Sequence, residues 1–174
     1  MEITEKLIKS GKINRPGAEN SMRYITVHDT ANYKAGANAS AHAKYLQGLN
    51  ERTSWHYTVD DNSIYRHLPD NEKSYHTSNI EANESSIAIE LCVNSDGDFE
   101  KTKENAIFLI RLLAKKYNIP AKNIITHKDW TGKNCPARLI KEGLEDFLQR
   151  CREKEERYIT ISELCDMGYA GIKF

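Results

Sequence analysis

The chain has 174 residues, enough for one compact domain with a hydrophobic core and too few for two large domains. Hydrophobic residues make up 39% of it, and no apolar run approaches the roughly 20 residues of a membrane-spanning helix. Lysine plus arginine and aspartate plus glutamate each total 25, whereas nucleic-acid-binding proteins usually carry a basic excess. We therefore expect no nucleic-acid partner and no membrane insertion.

The N-terminal segment MEITEKLIKS has neither the apolar core nor the small-residue cleavage site of a signal peptide. This predicts synthesis in the cytoplasm without a signal peptide, so that work on a cell wall would follow release by other means. The four cysteines, at positions 92, 135, 151 and 165, are irregularly spaced and form no CxxC pair. Disulfides are not expected, and burial is the ordinary role of a lone cysteine.

The first half of the chain predicts strands around one helix. Residues 23–28 are rich in β-branched and aromatic side chains and predict a strand. Asn38 is a suitable cap for a helix that ends near Leu49. Residues 55–59 and 63–66 lie on either side of an Asp-Asp-Asn turn and predict a β-hairpin.

The second half continues this mixture. Residues 86–93 are nearly all apolar except for Glu90, as expected of a strand buried on both faces. Apolar residues recur at helical spacing over 102–117, and residues 123–127 predict another short strand. After Pro136 the apolar spacing predicts one helix that ends near residue 152.

This order of elements predicts an α/β fold, with a mixed central β-sheet flanked by helices in a single domain. The predicted domain covers residues 1–152. Residues 153–174 follow a strongly charged stretch and are predicted to be a linker or the start of a C-terminal segment. The sequence leaves open whether a cell-wall-binding domain follows in the full-length protein.

Three side chains in the predicted loops and strand ends are suited to zinc. His28 and His127 end predicted strands, and Cys135 follows eight residues later in a loop with glycine and proline that can fold back. Imidazole nitrogen and thiolate sulfur are favoured zinc ligands, and three protein ligands leave a fourth position for water. Spacing alone also allows hydrogen-bonded histidines and a buried cysteine.

Four segments, taken together, resemble the type 2 N-acetylmuramoyl-L-alanine amidases, a family of phage endolysins, bacterial autolysins and peptidoglycan recognition proteins. They are ITVHDT (25–30), SWHYTVD (54–60), SIAIEL (86–91) and THKDW with KNCP (126–136). The resemblance covers roughly residues 20–150. It implies a fold like that of these amidases, peptidoglycan as the partner, and zinc-dependent hydrolysis of the amide between N-acetylmuramic acid and L-alanine.

The resemblance also assigns roles to single residues. His28, His127 and Cys135 correspond to the zinc ligands, and Glu90 to the carboxylate that acts as general base and acid. A lone carboxylate is costly to bury, so Glu90 should face a polar site. Lys133 is placed to stabilise the oxyanion. The ordinary alternatives are a buried ion pair for Glu90 and a solvated side chain for Lys133.

Three residues are predicted to contact substrate. His76 lies in a segment that resembles the family's groove-lining Trp-His-Ala-Gly, and Thr30 follows the first histidine in a loop whose ordinary role is turn formation. His56 follows a tryptophan where some relatives have a catalytic tyrosine, and either hydrogen-bonds near the metal or packs. Two other histidines are expected at the surface: His42 and His67.

Two other functions remain to be separated from an amidase. Relatives that only bind the cell wall typically lack the metal cysteine, whereas Cys135 is present here. A structural zinc site would need a fourth protein ligand, and none lies near Cys135 in the sequence.

Overall fold

A computed structural model describes residues 2–153. Residue 1 and residues 154–174 lie outside it, so the predicted linker or C-terminal segment, apart from its first residue, Glu153, is not described. The described strands are β1 (Ile3–Glu5), β2 (Tyr24–Asp29), β3 (Tyr57–Val59), β4 (Ile64–Arg66), β5 (Ser86–Leu91) and β6 (Ile124–Thr126). The helices are α1 (Ala39–Gly48), α2 (Ile80–Ser85), α3 (Phe99–Tyr117), α4 (His127–Thr131), α5 (Ala137–Glu142) and α6 (Leu144–Arg152). Within the described part, no helix is both long and apolar enough for a bilayer.

The strands form one sheet in the order β1-β4-β3-β5-β2-β6. β3 and β4 pair antiparallel, which is the predicted hairpin, and the other neighbours in the sheet pair parallel. Parallel neighbours need long crossover connections, and the helices supply most of them. The predicted α/β fold, a mixed sheet with flanking helices, is confirmed.

Helix α3 is the longest element and packs its apolar side on the sheet. Ile107, Ile110 and Leu113 are at most 4% exposed and belong to the main core together with residues of β2 and β5. Fully burying each such side chain contributes about 1.5–3 kcal/mol. The Asp98 side chain caps the first turn, and Asn118 ends the helix in a left-handed conformation with φ 54°. The helical spacing predicted for this segment is confirmed.

Some predicted boundaries are wrong. The single helix expected after Pro136 is two helices, because Gly143 adopts φ 124° and breaks the backbone between α5 and α6. The strand predicted over 123–127 ends at Thr126. There, the Thr126 side chain accepts from the Asp129 N–H, and the Asp129 side chain accepts from the Thr126 N–H. This capping box begins α4 at the next residue, His127. The short elements β1 and α2 were not predicted.

The register of the three adjacent parallel strands β5, β2 and β6 positions the candidate site. His28 of β2 lies directly opposite Glu90 of β5. Val27 lies opposite Thr126, so His127 follows at the same end of the sheet. The carboxyl ends of parallel strands are where ligands bind in α/β proteins. Sheet topology therefore gathers residues from distant parts of the chain at one edge.

Candidate metal centre

His28, His127 and Cys135 converge at the carboxyl ends of these strands. One ligand atom from each side chain lies within 4.8 Å of the others, and all three residues are buried. The Cys135 Sγ lies 3.6 Å from the His28 Nδ1. Two ligands at about 2.1 and 2.3 Å from a tetrahedral zinc ion are about 3.6 Å apart. The nitrogen and sulfur donors, and the distance between Cys135 and His28, are therefore compatible with a zinc site.

The loop between α4 and α5 carries Cys135 back to the histidines. Gly132 ends α4 with φ 77°, and the Lys128 N–H then donates to the Cys135 carbonyl at 3.0 Å. Asp29, the residue after the first histidine, accepts a 2.7 Å hydrogen bond from the Arg138 N–H at the start of α5. Asp29, which was not among the predicted site residues, thus joins the end of β2 to the segment that follows the cysteine.

Burial sets the charge state of the three candidate ligands. It is the largest cause that lowers the pKa of His28 well below its ordinary value, and the charges of His76, His127 and Lys133 act in the same direction. Burial also lowers the pKa of His127 and raises the pKa of the Cys135 thiol to about 12. The imidazoles are therefore neutral, as metal ligands must be, and the thiol needs a cation to become a thiolate.

Glu90 lies beside the candidate ligands. Its Oε1 is 3.9 Å from the His28 Nδ1, its side chain is 14% exposed, and its buried Oε2 has no hydrogen-bond partner among residues 2–153. Burial, followed by the negative charge of Asp29, raises the pKa of Glu90 well above its ordinary value, while Lys133 opposes the shift. With His28 neutral, the two side chains form no ion pair, and among residues 2–153 no other cationic group lies within salt-bridge distance of the Glu90 carboxyl.

Two further predicted residues border this centre. Lys133 is exposed on the loop before the cysteine, close enough for its charge to lower the pKa of both histidines. Thr30 and Glu90 line a cavity of about 370 Å³ next to the centre. Its remaining walls are mostly apolar and include Ala37 before α1, three residues of α1 and Trp55 before β3. The α1 residues, which were not predicted as site residues, are Ala41, His42 and Tyr45. The four-residue spacing of Ala41 and Tyr45 on one helix face was the signal available for them.

The other two residues predicted to contact substrate, His76 and His56, are not among the residues that line this cavity. The His76 Nδ1 is 2.9 Å from the His28 Nε2, so this ring touches a candidate ligand. Burial lowers the pKa of His76 to about 3, and the ring is neutral. His56 is completely buried, its Nδ1 accepting from the Ala88 N–H and its Nε2 donating to the Glu72 carbonyl. Direct substrate contact by His56 is therefore corrected to a packing role, because neither ring nitrogen is free.

The expected surface positions of two histidines also need correction. His67 is completely buried, with its Nε2 2.8 Å from the Thr58 Oγ1. His42 is partly buried, because α1 turns it towards Trp55. Trp130 of α4 packs edge-on against Tyr24, with ring centroids 5.0 Å apart.

Residues 18–138 match the family described as N-acetylmuramoyl-L-alanine amidase. Two amidases of this name from Bacillus subtilis (strain 168), XlyA and CwlH, are each 48% identical to the chain, over 142 and 141 residues. These alignments cover 80% and 79% of this chain but 48% and 56% of the relatives. The chain thus spans about half the length of the curated relatives that it matches.

Solved structures give the same result for the fold. The catalytic domain of XlyA is 44% identical and matches with a TM-score of 0.84, covering 87% of this chain and 99% of that domain. The structure of PlyL is 32% identical with a TM-score of 0.80, covering 88% of this chain and 98% of that one.

Fold and site together define an α/β protein with a candidate metal centre at the carboxyl ends of its central parallel strands. The family match over residues 18–138 and the 48% identity to two relatives make the assignment more specific. The chain belongs to the N-acetylmuramoyl-L-alanine amidase family. The resemblance inferred from four sequence segments is confirmed.

Proposed function

We propose that this protein hydrolyses the amide bond between N-acetylmuramic acid and L-alanine in peptidoglycan. Family membership and the names of its relatives support this reaction and substrate. The observation that carries the proposal is the convergence of His28, His127 and Cys135 within 4.8 Å, beside Glu90, whose buried Oε2 has no hydrogen-bond partner in the described part of the chain. Such a group is costly to bury and has no evident structural use, which favours a catalytic site.

The cofactor in this proposal is zinc, held by His28, His127 and Cys135. Among residues 2–153, no fourth histidine, cysteine or carboxylate joins the cluster, which favours a catalytic over a structural site. Bound zinc would supply a Lewis acid that makes a water molecule more acidic and polarises the scissile carbonyl.

Glu90 is the proposed general base and acid. Its carboxylate takes a proton from the attacking water and then gives it to the nitrogen of the departing L-alanine. Its position opposite His28 on neighbouring strands holds the carboxyl next to the candidate ligands. Because burial raises its pKa, the same group is able to carry a proton at the intermediate stage.

Lys133 and Thr30 have supporting roles in the proposal. Lys133 stabilises the negative charge that develops on the carbonyl oxygen, since its ammonium lies on the loop that carries Cys135. Thr30 contacts substrate from the wall of the cavity of about 370 Å³ that Glu90 also lines. The mostly apolar remainder of that cavity suits the uncharged part of a muramyl peptide.

The test is digestion of purified peptidoglycan, followed by mass spectrometry of the soluble products. We expect stem peptides that begin with a free L-alanine amine, no new reducing sugar ends, and no release after a chelator removes the metal. A Glu90→Gln variant is the control for cell-wall binding without hydrolysis. Protein that pellets with the walls and releases nothing would indicate a binding module, and reducing ends without new amines would indicate a glycosidase.

A further inference from the structure

The two ring nitrogens of His28 have different surroundings. Nδ1 faces the candidate centre, 3.6 Å from the Cys135 Sγ and 3.9 Å from the Glu90 Oε1. Nε2 points away from it and lies 2.9 Å from the Nδ1 of His76. A neutral imidazole has one N–H and one lone pair, so only one of its two tautomers presents a lone pair to a cation at Nδ1.

Neighbouring groups determine which tautomer is present. The Nε2 of His76 lies 3.2 Å from the Ala82 carbonyl oxygen and 3.1 Å from the Ser86 Oγ. A carbonyl oxygen only accepts, so the His76 Nε2 must carry the hydrogen and its Nδ1 the lone pair. His76 therefore accepts a hydrogen bond from the Nε2–H of His28, which leaves the lone pair of His28 on Nδ1.

The partners of His76 are themselves fixed by hydrogen bonds. The Ser86 hydroxyl donates to the Ala82 carbonyl at 2.7 Å, and the Thr26 hydroxyl donates to the Ser86 Oγ at 2.9 Å. The Trp130 indole donates to the Thr26 Oγ1 at 2.9 Å. Trp130 belongs to α4, the helix that begins with His127. This network thus connects the elements that carry both candidate histidine ligands.

We propose that His76 is a positioning residue for metal binding: it holds His28 in the Nε2–H tautomer and aims its Nδ1 at the cation. The inference rests on the proposed metal centre. Both nitrogens of His76 are engaged inside the protein, so it acts through His28 and not by touching substrate. Groups that orient a ligand histidine in this way typically change metal affinity by about 10–100-fold when they are removed.

The test measures zinc affinity by competition with a fluorescent chelator, independently of hydrolysis. His76→Leu and His76→Asn have similar shapes, but only asparagine has an oxygen at the place of Nδ1. We expect His76→Leu to bind zinc about 10–100-fold more weakly than the parent, and His76→Asn to recover at least half of that loss on a logarithmic scale. His76→Phe replaces His76→Leu if the leucine variant does not fold.

A matched control removes a buried imidazole elsewhere. His67→Phe should lower the thermal midpoint but leave zinc affinity within about twofold of the parent, because His67 contacts Thr58 and not the centre. Nitrogen-15 NMR of the histidine rings without zinc should show His28 as the Nε2–H tautomer in the parent and as a mixture of tautomers in His76→Leu.

The outcomes separate this inference from the proposed function. A parent protein that binds no zinc would overturn both. A parent that binds zinc while His76→Leu binds it equally well would overturn only the role of His76. An Nδ1–H tautomer of His28 in the parent would do the same.

Discussion

At the scale of single residues, Glu90 occupies a position where burial of an unpaired carboxylate is energetically unfavourable. Its Oε2 is buried without a hydrogen-bond partner in the described part of the chain, and burial raises its pKa. A strand that only filled the core would be more stable with an apolar residue at this position. Burial of the Glu90 carboxyl is explained if it takes part in a reaction at the adjacent metal centre. A substitution can test this.

Replacing Glu90 with glutamine should reduce turnover by roughly 10²–10⁴-fold, because the amide has nearly the same shape but cannot take up a proton. Zinc content, measured by elemental analysis, should stay at the parental level because Glu90 is not one of the three converging ligands. Substantially unchanged turnover of a muramyl-peptide substrate would exclude Glu90 as the base.

Two buried cysteines, Cys135 and Cys151, allow a test of the proposed metal ligands with a matched control. Cys135→Ala should lower zinc affinity by more than about 100-fold, beyond the effect of losing an outer hydrogen-bond partner, because a ligand itself is removed. Cys151→Ala is the control, since Cys151 is also buried and its thiol pKa is also raised to about 12, but it lies in the core. Equal zinc per chain in both variants would refute the assignment of Cys135.

At the scale of elements, a buried carboxylate joins the two strands of the hairpin to α3. Asp70 is 1% exposed and accepts hydrogen bonds from the Tyr57 and Tyr117 hydroxyls, with the Arg66 Nε at 3.2 Å. Burial alone would raise the pKa of Asp70. The tyrosine hydrogen bonds and the arginine charge outweigh it, so the pKa is lowered.

Asp70→Asn should therefore reduce the free energy of unfolding by about 3 kcal/mol at neutral pH, because the donors lose a charged partner. A group whose pKa is lower in the folded state stabilises above its unfolded pKa and loses that contribution as pH falls through the folded value. The difference between parent and variant in urea unfolding should thus shrink below the ordinary aspartate value of 3.8. Asp146→Asn, at an exposed position, should change stability by about 0.5 kcal/mol or less. A difference independent of pH would contradict the role of Asp70.

Elements with strong local patterns could be predicted from the sequence. The spacing of Ile107, Ile110 and Leu113 indicated α3, and the apolar run around Glu90 indicated β5. β1 could not be found this way, because it has three residues and is stabilised by pairing with β4, whose first residue, Ile64, is far away in the chain. The break at Gly143 was also hidden, since apolar spacing continues across it.

For the site, residue types were easier to predict than contacts. The resemblance pointed to His28 and Glu90, and the parallel register of β2 and β5 then placed them opposite each other. The contact between His76 and His28 depends on how the segment before α2 is held, and no local sequence pattern indicates that arrangement. There, the Asn83 side chain accepts from the His76 N–H, seven residues earlier.

At the scale of the whole molecule, the candidate ligands come from segments that meet only in the folded chain. His28 lies in the second strand, whereas His127 and Cys135 lie about a hundred residues later, at the start of α4 and in the loop after it. A metal ion that binds all three has little affinity for the unfolded chain, where they are far apart. Metal binding and folding should therefore be linked, so that zinc stabilises the whole domain.

Zinc in excess should accordingly raise the thermal midpoint. A free concentration of 100 times the dissociation constant stabilises a folded protein by about 2.7 kcal/mol. A chain of this size shifts by about 2–4 °C per kcal/mol, so we expect an increase of about 5–10 °C over the chelator-treated protein in calorimetry. Cys135→Ala should show almost no increase at the same zinc concentration, because an ion held by two imidazoles alone binds weakly. Identical midpoints for the parent with and without zinc would mean that the folded domain does not bind the ion, and the metal centre would have to be abandoned.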